Sequence, residues 1–207
     1  GLWGLVNNAG INGDMAGPME WATKEDYQTV LNVNLLGMID VTKTFLPLLK
    51  KSRGRVVNVA SAAGRVAVPD AGPYTVSKFG VEAFSDSLRR AMRTFGVKVV
   101  IIEPGYFRTE INNKESALRR MDDTWQLQSP ETKTEYGEEF LQAGRFIKHD
   151  GIKASGRFMQ DPVAVVDAMA HALCANHPRS RYVIGWDASF IFVPISWLPT
   201  ELGDLAV

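Results

Sequence analysis

The chain has 207 residues, enough for one domain with a core of its own. It is 45% hydrophobic and 22% charged with a formal net charge of +0, which argues against nucleic acid or an acidic membrane surface as a partner. A single cysteine, Cys174, excludes an internal disulfide and reads as a small residue in a helix core.

Residues 2–6 are an apolar run that ends in Asn7-Asn8-Ala9-Gly10, a strand followed by a turn. The run stands at the very start with no initiating methionine, so the chain is expected to be part of a longer protein, and no signal peptide is visible. Glycines at 10, 13 and 17 make 11–20 a loop. Thr23 opens a helix, with Asp26 in capping-box spacing. Its apolar stripe is Tyr27, Val30, Leu31, Met38, Val41 and Phe45, and Pro47 with Lys50-Lys51 closes it. Asn34 interrupts that stripe, and a buried amide must find partners; it is a structural bridge or part of a site.

After a turn at Gly54, residues 56–60 read as a parallel strand covered on both faces. Ser61 ends it, where an open α/β sheet places its ligand, although a serine there also serves as a turn residue or cap. Pro73 begins a helix to about Phe95, with Phe79, Ala83, Phe84, Leu88, Ala91, Met92 and Phe95 as its stripe and Gly96 as C-cap. On it, Tyr74 and Lys78 are four apart and share a face. An ammonium so placed lowers the tyrosine pKa toward working pH and makes Tyr74 a candidate acid/base. Tyr74, Lys78 and Val81 are expected off the centre of the stripe, toward its rim.

Residues 97–103 form the next strand and end in Pro104-Gly105. Strand and helix alternate with short connections, which argues for right-handed βαβ units. Residues 106–160 break the rhythm; they are charged, carry Trp125, Tyr136, Phe140 and Phe146, and either cover the mouth of a site or form a solvated insertion. Asp161-Pro162 starts a helix with Val165, Val166, Met169 and Leu173 inward, Pro178 ends it, and 181–185 is a last strand. The tail from 188 packs on the domain or touches a bilayer; its apolar run, 188–198, is broken by Pro194 and is short of the ~18–20 residues a span needs.

Asn7–Gly10, Asn32-Val33-Asn34, the Ser61 strand end, Tyr74-Thr75-Val76-Ser77-Lys78 and Pro104-Gly105-Tyr106-Phe107-Arg108-Thr109 together resemble the short-chain dehydrogenase/reductase family across essentially the whole chain. Residues 78–90, 103–109 and 177–188 look most like the retinol dehydrogenase and 17β-hydroxysteroid dehydrogenase group. The resemblance implies an α/β fold, the C-terminal part of a Rossmann-type doubly wound parallel sheet lacking its first strands. The whole of 1–207 would be one partial dinucleotide-binding domain with a substrate-covering insertion at about 106–160.

It further implies a hydride transfer between NAD or NADP, with NAD favoured, and a bulky apolar alcohol such as retinol or a hydroxysteroid. Tyr74 would be the general base. Lys78 would lower its pKa and hold the nicotinamide ribose, Ser61 would bond the reacting oxygen, and Asn34 would help hold a relay water. Asn8, Ala9 and Gly10 would line the cofactor floor, Pro104 and Gly105 would border the nicotinamide, and Thr109 would lie near its carboxamide. Membrane association at the endoplasmic reticulum is implied by likeness to the retinol group, with mitochondrial or cytoplasmic location as alternatives, and a homo-oligomer is compatible with it.

The glycine-rich phosphate turn of the family and the residue that chooses between NAD and NADP are absent from this sequence. Residues 1–207 alone are therefore expected to expose a sheet edge and to be unstable and inactive. The alternatives are a 3-hydroxybutyrate-type dehydrogenase, which would need a charged anchor, and a non-catalytic dinucleotide-fold binding protein. Intact Ser61, Tyr74, Lys78 and Asn34 favour the enzyme. His149, His171 and His177 fall in no metal or nucleophile pattern, and no Gly-x-Ser-x-Gly elbow is present.

Overall fold

The computed structural model describes residues 1–67, 69–109, 111, 113–156 and 159–206, without the side chains of 114 and 147–156. Positions 110, 112, 157 and 158 of the expected insertion, the side chain of His149 and the last residue lie outside the described residues.

Four strands, β1 (Gly4–Asn7), β2 (Arg55–Val59), β3 (Lys98–Pro104) and β4 (Arg181–Ile184), pair in parallel in the order β1-β2-β3-β4. Their β-branched runs suit a sheet buried on both faces. Between β1 and β2 lie α1 (Lys24–Leu31), a π-helical stretch (Asn32–Gly37) and α2 (Met38–Ser52). Helix α3 (Gly72–Met92) joins β2 to β3, and α4 (Lys114–Gln126), α5 (Pro130–Gly156) and α6 (Val163–Cys174) precede β4. Gly137, at φ 75°, breaks α5 into two pieces. A short π-helical turn (Ala188–Phe192), α7 (Val193–Ile195) and α8 (Thr200–Gly203) make up the tail.

Alternate strand residues build the two faces. Val56, Val99 and Ile101 pack against Leu49 and Met38 of α2 and Met92 and Val81 of α3. Val57, Val100 and Ile102 pack on the other face with Val165, Ala172 and Met169 of α6. Arg55 fastens α6 there by donating to the Ala172 and Ala175 carbonyls at 2.8 and 2.6 Å, a cation at a helix C-terminus. Helices therefore cover both faces, as a doubly wound sheet requires. Because β4 extends the sheet in the same direction while α6 lies opposite α2 and α3, the last crossover has the opposite hand to the first two.

The capping box at the start of α1 forms: Thr23 N–H donates to Asp26 Oδ2 at 2.8 Å, and Asp26 N–H to Thr23 Oγ1 at 3.2 Å. Other expectations need correction. The helix runs through Pro47 and ends at Ser52, where Arg53 turns left-handed and its N–H meets the Leu49 and Lys50 carbonyls. The π-helical stretch shifts the register, so Val30, Asn34, Met38 and Thr42 face inward while Val41 and Phe45 are exposed. On α3 the buried face is Ser77, Lys78, Val81, Glu82 and Ser85, and Phe79 lies on the surface. Lys78 and Val81 are thus central to the packed face, not at its rim. Cys174 ends α6 on the solvent side, since Val165 and Ala172 carry that helix's contact, and Val166 is exposed as well.

Candidate active site

Strands β1, β2 and β3 stop side by side, and beyond their carboxyl ends lies a cavity of about 830 Å³. Asn8 and Gly10 line it from the β1 turn, Ser61 from the end of β2, and Tyr74 and Lys78 from α3. Pro104, Gly105 and Thr109 line it from the turn after β3. Ten sequence-predicted positions thus reduce to eight on the wall; Ala9 is exposed outside it and Asn34 is buried behind it.

Ser61 serves two ends. Its hydroxyl accepts the Ala63 N–H at 3.2 Å, capping the turn Ala62–Gly64, and the residue lies on the cavity wall beside Tyr74, whose phenol pKa it lowers. The cap expected of this serine forms, at a position that also faces the cavity. Lys78 reaches back toward the sheet, where its ammonium donates to the Val59 carbonyl at 3.0 Å and stands 5.5 Å from the centre of the Tyr74 ring. Burial pulls Lys78 down to about 8, opposed by the charge of Glu82. Burial likewise raises Tyr74 above its ordinary value, with Ser61 acting the other way and Tyr106 adding to the rise. The expected lowering of Tyr74 by Lys78 is therefore not realised in this protein on its own. Desolvation is the largest influence on the phenol, and the Lys78 ammonium is committed to the Val59 carbonyl.

Asn34 is held on three sides. It accepts the Ile11 N–H at 2.8 Å and donates to the Ile11 carbonyl at 2.9 Å and to Ser77 Oγ at 3.0 Å. Ser77 in turn donates to the Tyr74 carbonyl at 2.6 Å. The amide thus clamps the β1 turn to the helix that carries Tyr74, from within a π-helical stretch of the kind that recurs at functional sites.

Three features escaped the sequence. Asp187 is buried against the turn after β3, accepting the Tyr106 N–H at 2.6 Å, and a Cβ on Gly105 would stand 2.3 Å from its carboxylate oxygens. Only glycine fits there. Second, Arg181 from β4 donates to Glu103 at 2.5 Å and also bonds Glu82, while Arg65 reaches Glu103 at 3.1 Å and Asp86 meets Arg181 at 3.0 Å. This pins the second turn of α3 beyond Lys78 to the sheet. Third, Asn7 donates to Thr42 and to Asn58, and Asn58 to Ser85, each at 2.8 Å, forming a buried polar line between sheet and helices. Each pair joins residues distant in sequence, so no periodicity announces it.

The segment 106–160 supplies part of the cavity wall through Tyr106, Phe107, Thr109, Ile111, Ala117 and Arg120 of its described residues. The aromatics Trp125, Tyr136 and Phe140 are not on that wall. Trp125, Tyr136 and Phe140 stack on Trp21 with centroid distances of 5.5, 5.1 and 5.9 Å and form a small core of their own with Met15, Met121 and Leu141.

The short chain dehydrogenase family model matches residues 1–119. Human retinol dehydrogenase 16 is 52% identical over 204 residues, covering 99% of this chain and 63% of that protein. Human 17-beta-hydroxysteroid dehydrogenase type 6 is 48% identical, with 99% and 63% covered. The chain thus spans less than two thirds of the length of these curated relatives. Among solved structures, a short chain dehydrogenase from Burkholderia cenocepacia in complex with NADP aligns with a TM-score of 0.69 at 20% identity, over 100% of this chain and 69% of that one. One from Burkholderia phymatum in complex with NAD aligns at 0.68 and 21% identity, over 94% and 64%. These two share its fold.

Proposed function

Because the chain belongs to the short chain dehydrogenase family, we propose that the protein carrying it is an NAD(P)-dependent dehydrogenase of bulky apolar alcohols, retinol or a hydroxysteroid among them. The observation that carries this reading is the convergence of Ser61 and Tyr74 on one wall of the cavity, with Lys78 one turn behind Tyr74 on the same helix. A substrate hydroxyl bonded by both groups is oriented for proton transfer to the Tyr74 oxygen, and Ser61 steadies the charge that develops on the reacting oxygen.

The residues fit a nicotinamide group. Gly10 leaves the floor open, a Cβ there standing 3.6 Å from Lys78 Nζ, so the ammonium is in reach of groups seated there. Lys78 would bind ribose hydroxyls, Asn8 and Gly10 would line the floor, and Pro104, Gly105 and Thr109 would border the ring, while Ala9 would act through the backbone turn. NAD or NADP supplies the hydride acceptor; the protein supplies position and proton handling. With its side chain committed to Ile11 and Ser77, Asn34 would contribute to a relay water only through its backbone.

The apolar wall built by Val165, Met169 and Phe192 supports a bulky hydrocarbon substrate. Exposed Phe190, Trp197, Leu198 and Leu205 on the tail support contact of the protein with a membrane surface, and no described helix is long and apolar enough to cross one. Steady-state turnover of the full-length protein with retinol, androstanediol and 3-hydroxybutyrate, each with NAD and NADP, tests the reading. Turnover of the two apolar alcohols that disappears in Tyr74→Phe is expected; equal activity in that variant refutes the assignment.

A further inference from the structure

Arg120 stands on the cavity face of α4, one turn beyond Ala117, and both side chains line the wall. The other partly or fully buried arginines among the described residues each have partners: Arg55 has two carbonyls, Arg65 has Glu103, Arg89 has Asp86, Arg145 has Asp122, and Arg181 has Glu82, Glu103 and Asp86. The Arg120 guanidinium makes no hydrogen bond or ion pair with any described residue; only its backbone carbonyl is used, by Thr124. Burial disfavours its charge, and the charge that answers it is that of exposed Asp14. Of the other charged side chains on this wall, Lys78 is committed to Val59, and Asp70 is exposed. A half-desolvated guanidinium with no hydrogen bond and only the distant charge of Asp14 is costly unless something that enters the cavity completes it, and its planar fork suits a carboxylate.

Resting on the dehydrogenase reading, we infer that Arg120 is a specificity-determining residue that binds a carboxylate at the end of the substrate remote from the reacting hydroxyl. The substrate class is then a long apolar hydroxy acid: a hydroxyl at Ser61 and Tyr74, a hydrocarbon body along the Val165 and Met169 wall, and an anion at Arg120. A short hydroxy acid does not fill this cavity and does not require its apolar lining.

The test uses the full-length protein with hydroxy fatty acids of graded chain length and their methyl esters, followed by cofactor reduction and, separately, by quenching of tryptophan fluorescence on ligand binding. At the best chain length the acid has a KM about tenfold or more below that of its ester, the size expected of a charge-assisted hydrogen bond. Arg120→Gln removes that difference by raising KM for the acid alone, with kcat little changed, and Arg120→Lys keeps part of it. Asp14→Asn, which leaves the anchor intact, widens the preference and serves if Arg120→Gln does not fold. An acid and ester that bind alike at every length overturn the inference, as does an Arg120→Gln variant that weakens both equally or weakens cofactor binding. Oxidation of neutral alcohols with no acid preference would sink the anchor and leave the dehydrogenase standing. Arg120-dependent binding of acids, by fluorescence, with no alcohol oxidised would do the reverse.

Discussion

Asn34 Nδ2 donates to Ser77 Oγ at 3.0 Å, and the same hydroxyl donates to the backbone carbonyl of Tyr74 at 2.6 Å. Through this pair the π-helical stretch after α1 sets the position of the first turn of α3. Asn34→Leu is expected to strand the Ile11 N–H and carbonyl, at about 1–3 kcal/mol for each buried group left unpaired. Ser77→Ala removes one link and should cost only about 1 kcal/mol. Urea unfolding of the full-length protein measures both, and equal losses would show that the clamp on Ile11 contributes nothing.

Tyr74→Phe keeps the ring and removes the phenol oxygen from the cavity wall it shares with Ser61. Turnover should fall about 10²–10⁴-fold, the range for lost general acid–base catalysis, with cofactor affinity held within about twofold. Cofactor titration by fluorescence beside steady-state rates separates the two effects.

Lys78 is buried with its pKa lowered to about 8. Between that value and 10.5 the unfolded chain holds more protons, so this lysine adds stability as pH rises through that window and weakens the fold below it. Lys78→Met should therefore be as stable as the wild type or more so at pH 7, and should flatten the alkaline rise, while turnover collapses. A variant less stable at pH 7 would show that the Val59 hydrogen bond outweighs the buried charge.

Burial and the charge of Glu103 push Glu82 up to about 7, with Arg181 pulling the other way. A carboxyl whose folded pKa lies above its unfolded value favours folding at low pH, and that contribution is lost as pH rises from about 4.5 through about 7. Glu82→Gln should flatten the decline, read from urea midpoints across that range. Arg181→Met leaves two buried carboxylates without their bridge and should cost about 3–5 kcal/mol at pH 7, with recovery in acid.

Gly105→Ala drives a methyl group into Asp187 and should destabilise by about 1–3 kcal/mol. Combining it with Asp187→Gly relieves the clash but frees the Tyr106 N–H. The two changes should couple by about 0.5–3 kcal/mol in a double-mutant cycle of thermal stabilities.

What the sequence discloses follows the range of the interactions. The strands, the Thr23 cap, the Gly96 C-cap and the Tyr74–Lys78 spacing are local patterns, and the structure repeats them within a residue or two. The buried face of α3 is not local. Ser85 faces inward because Asn58 is there to receive it, and Glu82 because Arg181 is, so Phe79 is left outside against the apolar rule. Asn34 hid its partners in the same way, in a backbone turn 23 residues earlier. The aromatics of 106–160 were legible as apolar mass, but their target, Trp21, lies in a different part of the chain.

The reversed hand of the last crossover bears on the order in which the molecule is built. Residues 1–104 form β1, β2 and β3 with α2 and α3 through crossovers shorter than the last one, whose closure is entropically cheaper. β4 must wait for the long excursion 105–180 to return, on the face and in the sense that βαβ units rarely take. Until it docks, Arg181 is missing, so Glu82 lacks its cation and Glu103 keeps only Arg65. Substitutions at Arg181 should accordingly speed unfolding and leave the folding rate nearly untouched, with φ near zero, whereas Val57 and Val100 should carry the larger values.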